Sequence, residues 1–238
     1  MSANQRLRCR FSRGEAAQDL TNRDILKIWE AALAEVTRLA PAGGVEASGD
    51  RDPARPKLAV AAPLPAGATS GAEVIDVYLE HPLPPGLFRL WLPAALSPKI
   101  SLISVEEVGL GVPSPQSDVR WAEYLVRLSP EINLAATRSA VAAFLGRESL
   151  AWEEARETKV KRYDMRAVVK LLLVEPCDGD VYLRMRLQTD GSIIGRPAQL
   201  IAALDLGRPA SVHRTGLGFA TKSQVLEAWR QKGRFSEN

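Results

Sequence analysis

One order of elements occurs twice along this chain, and that repetition limits what it can fold into. Arg6–Phe11 alternates cleanly, with Leu7, Cys9 and Phe11 on one face and Arg6, Arg8 and Arg10 on the other. A period of two marks a half-buried strand. Thr21 followed by Asp24 is a helix start, where hydroxyl and carboxylate meet otherwise orphaned amides. Ile25, Ile28, Trp29, Ala32, Leu33 and Val36 then recur at helical spacing and make an apolar stripe that needs a cover. Pro41 to Pro56 reads as a loop. Lys57–Ala62 is a short strand, closed by Pro63, Leu64, Pro65, Ala66 and Gly67. Val74–Glu80 alternates again, with Ile75, Val77 and Leu79 inward. Leu87–Leu96 is a short helix interrupted at Pro93, and Ile100–Val108 is a strand.

The segment from Gly109 to Pro115 has linker composition, and the same order follows it. Arg120–Leu128 alternates, with Ala122, Tyr124, Val126 and Leu128 on one face. Leu134–Phe144 is helical, and Thr158–Asp164 is polar and extended. Lys170–Glu175 and Val181–Gln188 form a hairpin around Asp178 and Gly179, whose types suit a tight turn. Pro197–Leu204 is a helix, Ser211–Ala220 a strand, and Gln224–Arg230 a terminal helix. Two successive β-α-β-β-α-β units predict an α+β chain of two tandem ferredoxin-like halves. The expected halves are 4–110 and 118–220, with a linker at 111–117 and a helical tail at 221–238.

Composition narrows the function classes. No stretch of the 238 residues is apolar and long enough to cross a bilayer. Cys9 and Cys177 are far apart, so they make no disulfide framework and no metal-ligand set. A reducing cytoplasm is the expected setting. The formal net charge is only +3, so bulk charge does not announce a nucleic-acid binder. Arg outnumbers Lys, 23 to 8, and Arg is the better residue for planar, bidentate grip on phosphate.

Several stretches together resemble a radical-SAM-linked protein family of unknown function, whose domain occurs alone or fused behind a radical SAM domain. They are Arg6–Ser12, Thr21–Ile25 with Trp29–Leu33, and Arg55 and Pro56 leading to Pro63, Pro65 and Gly67. Glu73–Val77 with Asp76, Glu123 and Tyr124, Tyr163, Asp164, Met165 and Arg166, and Arg214–Leu217 with Gly216 complete the series. Asp24 is part of the pattern. The family usually carries Ser-His where this chain has Thr21 and Asn22. It carries a Gly-Phe-x-Pro-His-Pro segment where this chain has Arg51–Pro56, so both family histidines are absent and Arg55 replaces the second. The resemblance implies association with a radical SAM protein, with RNA as a substrate class.

The chemistry the residues offer is mostly cationic. An iron–sulfur cluster of the radical SAM kind needs three neighbouring cysteines, which this chain lacks. No catalytic residue, metal or cofactor is therefore assigned, and the expected role is a non-catalytic accessory. Arg6, Arg8 and Arg10 on one strand are matched by Tyr182, Arg184 and Arg186 on another, with Lys159, Lys161, Arg162 and Arg166 nearby. Such faces can grip phosphate and stack a base. The competing reading is a solvated face balanced by Glu and Asp on neighbouring strands. His81 and His213 are the only histidines. They would have to carry the alternative activity, a metal-independent endoribonuclease of the tandem ferredoxin-like type. A purely structural assembly factor is the third reading. Asp164 and Arg166 read as an ion pair fixing a turn, or as ligand-facing. Trp91, Trp121, Trp152 and Trp229 read as packing residues, and Gly216–Gly218 lacks the helix that a phosphate loop needs.

Overall fold

The computed structural model describes residues 3–39, 57–156, 159–190 and 194–220. The loop expected at Pro41–Pro56, including Arg55 and Pro56, lies outside them, as does the expected terminal helix with Trp229. Among the described residues the chain is a mixed α/β protein with mainly antiparallel strands and six α-helices. It divides into two compact units. The first is the chain up to Gln116 together with Ser211–Thr215. The second is Ser117–Ala210 with the described residues from Gly216 to Ala220.

In the first unit the strands are β1 (Gln5–Arg13), β2 (Lys57–Val60), β3 (Thr69–Leu79) and β4 (Ile100–Glu107), with helices α1 (Asn22–Leu39) and α2 (Pro85–Ala95). Their order across the sheet is β4-β1-β3, with β2 on the far side of β3. β2 pairs antiparallel with Ile75–Tyr78, while Thr69 and Ser70 of β3 pair in parallel with His213 and Arg214. The eleven residues of β3 therefore serve two partners in succession on this edge, while β1 pairs along the other. One sheet face is apolar. Leu7, Cys9 and Phe11 of β1 and Ile75, Val77 and Leu79 of β3 pack against Ile25, Trp29, Leu33 and Val36 of α1 and Phe88 and Leu92 of α2. Phe11 meets Trp29 edge-on, with ring centroids 5.3 Å apart. Burial pushes the Cys9 thiol pKa up, with a smaller push from Asp76, so this cysteine stays a neutral core residue.

The start of α1 is the predicted cap. Thr21 N–H and hydroxyl donate to Asp24 Oδ2 at 3.0 and 2.6 Å, and Asp24 N–H donates back to Thr21 Oγ1 at 3.2 Å. α2 differs from expectation, because it runs through Pro93 to Ala95. Pro93 falls in the last turn, where its missing donor frees only the carbonyl of Arg89, an exposed residue.

The polar face of the first unit is where prediction and structure part. Arg6 was expected on an open stripe, yet it is 1% exposed. Asp76, wholly buried on β3, accepts from Arg6 Nε at 2.6 Å and from Arg8 Nε and Nη2 at 2.8 and 3.1 Å. Arg6 also donates to the carbonyls of Val112 and Pro113 at 2.5 and 2.7 Å. A second ionic group is built on Glu73 of β3, which is opposite Phe11 and so, by alternation, on the other face from Asp76. Arg214 donates to Glu73 at 2.8 Å and to the carbonyls of Ala62 and Pro63 at 3.1 and 2.8 Å. Arg13, 3% exposed, donates to the carbonyls of Ala17 and Leu20. Burial lowers its pKa, and Glu73 opposes the shift.

The one-turn helix α3 (Pro115–Asp118) straddles the boundary at Gln116, and the second unit continues with β5 (Val119–Arg127) and α4 (Leu134–Leu145). β6 (Ala151–Arg156), β7 (Lys159–Asp164) and α5 (Met165–Val168) follow, and then β8 (Val169–Cys177), β9 (Asp180–Gln188), α6 (Pro197–Ala203) and β10 (Ser211–Phe219), which belongs to this unit from Gly216 on. The order is β10-β5-β9-β8, while β6 and β7 form a separate hairpin. Taking the four sheet strands of each unit in chain order, both units read fourth, first, third, second. The β8–β9 turn has Asp178 and Gly179 at φ +50° and +86°, the left-handed pair that a two-residue hairpin loop requires. Asn133 caps α4 by accepting from the Ala135 and Ala136 amides.

Asp76 carries the sharpest test of this architecture. Asp76→Ala should cost about 3–5 kcal/mol, because it strands two guanidiniums, one of them buried. Arg8→Ala should cost less, since Arg6 keeps its partner. Urea denaturation of the two variants checks this, and a loss below about 1 kcal/mol for Asp76→Ala would contradict the assignment.

Candidate nucleic-acid interface

The two Arg stripes have different fates. In the first unit Arg6 and Arg8 are committed to Asp76, and only Arg10 of the three is exposed. In the second unit the stripe stands on an open sheet face. The opposite face holds the core, with Ala122, Tyr124 and Val126 of β5 beside Leu183, Met185 and Leu187 of β9. The open face therefore carries Trp121, Glu123, Leu125 and Arg127 of β5 against Tyr182, Arg184 and Arg186 of β9, paired in register. Leu171, Leu173 and Glu175 of β8 complete it.

This face is cationic but balanced. Arg184 makes a bidentate pair with Glu175 at 2.6 and 3.0 Å and reaches Glu123 at 3.3 Å. Arg186 donates to Glu123 at 3.2 and 2.9 Å. Both arginines remain accessible, at 32% and 38% of their side-chain surface. The bond to Arg184 holds the Glu175 carboxyl below the usual carboxylate range, and Glu175 in turn raises Arg184. Tyr182 is half-buried, opposite Arg127.

Trp121, expected to be a packing residue, sits on this face, half-buried, with the Arg186 guanidinium 4.2 Å from its ring centre. Room for the indole comes from β10. A Cβ at Gly218 would lie 1.9 Å from Trp121 Cε2, and one at Gly216 would lie 3.8 Å from Cζ3. The two glycines thus serve a side-chain platform and no phosphate loop. Trp121 was legible in outline, because it falls out of phase with the apolar residues of its own strand.

The remaining predicted site residues scatter. Arg162, 76% exposed on β7, pairs with Glu153 at 2.6 Å. Gly67, at φ +74°, closes the Pro63–Gly67 turn, and its amide donates to the carbonyl of Gln18. Pro65 accepts from the Ala68 amide within the same turn. His213 Nδ1 lies 2.7 Å from Thr69 Oγ1, while His81 is exposed in its turn. Among the described residues, no cluster of three or more His, Cys, Asp or Glu could hold a metal ion, and no helix is long and apolar enough to cross a membrane.

Asp164 and Arg166 do not form the expected ion pair. Asp164 fixes the turn as a cap, with Oδ1 accepting from the Leu150 and Arg166 amides at 2.8 and 2.9 Å. These amides, Leu150 first, hold its carboxyl below the usual range. Arg166 instead lines an open recess with Arg147, Glu148, Asp164, Val169 and Lys170.

The chain belongs to a family described as an uncharacterised protein family conserved in bacteria, DUF2344, whose model matches residues 52–197. No curated protein matches it. Among solved structures it is similar to a chain of a Cbf5-Nop10-Gar1 complex, at 13% identity and a TM-score of 0.47, over 89% of this chain and 49% of the other. It is also similar to a chain of the archaeal box H/ACA sRNP Nop10-Cbf5 complex, at 12% identity and a TM-score of 0.41, over 87% and 46%. The chain spans about half the length of each.

Two variants check the local geometry. Gly218→Ala should displace the Trp121 ring and separate it from Arg186, giving a changed near-ultraviolet circular dichroism spectrum and a blunted response to an Arg186→Ala change made on top of it. The cap at Asp164 has a pH signature. A carboxyl with a depressed folded pKa stabilises fully above its unfolded value, about 4, and that stabilisation is lost as pH falls through the folded value. Asp164→Ala should therefore lower Tm at neutral pH, with the gap to the parent closing in acid.

Proposed function

We propose that this chain is a non-catalytic RNA-binding accessory built of two ferredoxin-like units, with the open sheet face of the second unit as its RNA contact. The carrying observation is the cluster of Trp121, Tyr182, Arg184 and Arg186 on one solvent-facing sheet surface. The repeated strand order, fourth, first, third, second, supports the ferredoxin-like reading of each unit. A sheet that buries one face under helices leaves the other for a flat ligand, and unstacked bases are flat ligands. Aromatic stacking contributes about 1–3 kcal/mol per base and tolerates any sequence. The arginines exchange a carboxylate for a phosphate when RNA arrives. That exchange costs little at accessible positions, where an ion pair is worth about 0–1 kcal/mol.

The accessory part of the proposal rests on the sequence. Two distant cysteines cannot hold a radical SAM cluster, so the chemistry would belong to a separate radical SAM protein. That partner is proposed from the resemblance alone.

A labelled single-stranded oligouridine titrated by fluorescence anisotropy tests the RNA contact. Saturable binding at low salt should weaken as salt rises, with a slope of roughly 0.7 per phosphate neutralised. Tyr182→Ala with Arg186→Ala should weaken it at least about tenfold, while the melting temperature of the variant stays close to that of the parent. No saturable binding at low salt overturns the RNA reading. Retention on a protein complex after complete RNA digestion would favour a structural assembly role in its place. Failure to co-purify with any radical SAM protein would remove the proposed partner.

A further inference from the structure

We infer that the recess lined by Arg147, Arg166 and Lys170 is a phosphate-group site, separate from the sheet face. It is an open recess of about 480 Å³ in the second unit. Small-ligand pockets run from about 300 to 1,000 Å³, so its size suits a phosphate with a small organic group attached. Three cations and two carboxylates line it.

The two signs are not equally available. Asp164 turns Oδ1 to the Leu150 and Arg166 amides, so part of its charge already has close partners. Glu148 is exposed and carries no salt bridge among the described residues. The cations are less engaged. Arg147 is exposed at the end of α4, and no side-chain hydrogen bond or ion pair holds it among the described residues. Lys170 Nζ donates once, to the carbonyl of Ala167 at 2.9 Å, which leaves two of its donors. Arg166 is half-buried and aimed by packing. Its Nη1 reaches the Val169 carbonyl at only 3.4 Å, and its buried Nε has no partner.

A guanidinium has five donors in a planar fork, and this one spends a single long bond on the protein. A tetrahedral dianion offers acceptors to the remaining Nη donors, the buried Nε being out of its reach, with Arg147 and Lys170 able to close on it from exposed positions. A carboxylate ligand would fit the fork but would leave the other two cations without enough acceptors.

Titration with inorganic phosphate, followed by amide chemical shifts, tests the site. Saturable shifts should centre on residues 147, 148, 166, 167 and 170. Arg147→Gln with Lys170→Gln changes two exposed side chains, so the fold should survive, and it should weaken phosphate at least about tenfold. Arg166→Lys keeps the charge and loses the fork, and should also weaken it. Two further probes distinguish the sources of the phosphate. A nucleoside monophosphate binding more tightly than inorganic phosphate identifies a small nucleotide. A 5′-phosphorylated oligonucleotide binding more tightly than its 5′-hydroxyl twin, with the preference lost in the double variant, identifies an RNA end. Absence of saturable shifts, or equal phosphate affinity in parent and double variant, overturns the site. Tyr182→Ala with Arg186→Ala should leave phosphate binding unchanged, so failure of the sheet-face proposal and failure of this one are distinguishable.

Discussion

A single carboxylate organises the first unit. Asp76 stands on the polar face of β3 with no exposure, and two guanidiniums meet it. Burying a carboxylate costs several kcal/mol, offset only when it is paired and hydrogen-bonded. That requirement acts on register more than on net stability. Arg8 lies directly opposite Asp76, so a one-residue slip of β1 would carry Asp76 away from Arg8 and set Leu7 or Cys9 against it. Arg6 extends the constraint to the chain beyond β4 through the carbonyls of Val112 and Pro113. Glu73 and Arg214 do the same for β10 and for the turn that begins at Pro63. Most of the stabilisation still comes from the apolar face, at about 1.5–3 kcal/mol for each large side chain buried. The charges decide which segments meet.

The same requirement separates two stripes that look alike in sequence. Arg6, Arg8 and Arg10 alternate as cleanly as Tyr182, Arg184 and Arg186. On the first, the counter-charge is central and buried, and further chain lies over Arg6. On the second, Glu123 and Glu175 are themselves partly exposed, at 17% and 37%. An arginine paired under cover is structural, because release would strand both charges. An arginine paired in the open can change partners. The proposed RNA contact follows from that difference and not from the number of arginines.

What sequence reasoning reached and missed divides by range. Alternation in β1, β5 and β9, the Thr21–Asp24 cap and the Asp178–Gly179 turn are local, and the structure contains each of them. The β6 strand was not anticipated, because Ala151–Arg156 is short and polar and acquires strand geometry from its pairing with β7. The burial of Arg6 was invisible for a related reason. Nothing near it in sequence signals Asp76, which lies 70 residues away. The setting of Trp121 was equally out of sight, because the glycines it packs over arrive on β10.

These partners also sort the residues on which the resemblance in the sequence was drawn. Asp24, Gly67, Asp76 and Arg214 all close their hydrogen bonds on their own chain: a helix cap, a turn, and the two ionic groups on β3. With these bonds spent on their own chain, their role is to hold the first unit in shape. Asp164 is of the same kind, a carboxylate absorbed by amides. Arg166, its neighbour but one, is not. Its cap-side amide is used, but the residue lines a recess and its guanidinium makes a single long bond to the protein. A motif residue that is neither saturated by the fold nor spread freely in solvent is where a ligand has most to gain. In this chain that reasoning leads away from the buried arginines of the first unit, and toward the recess and the open sheet face of the second.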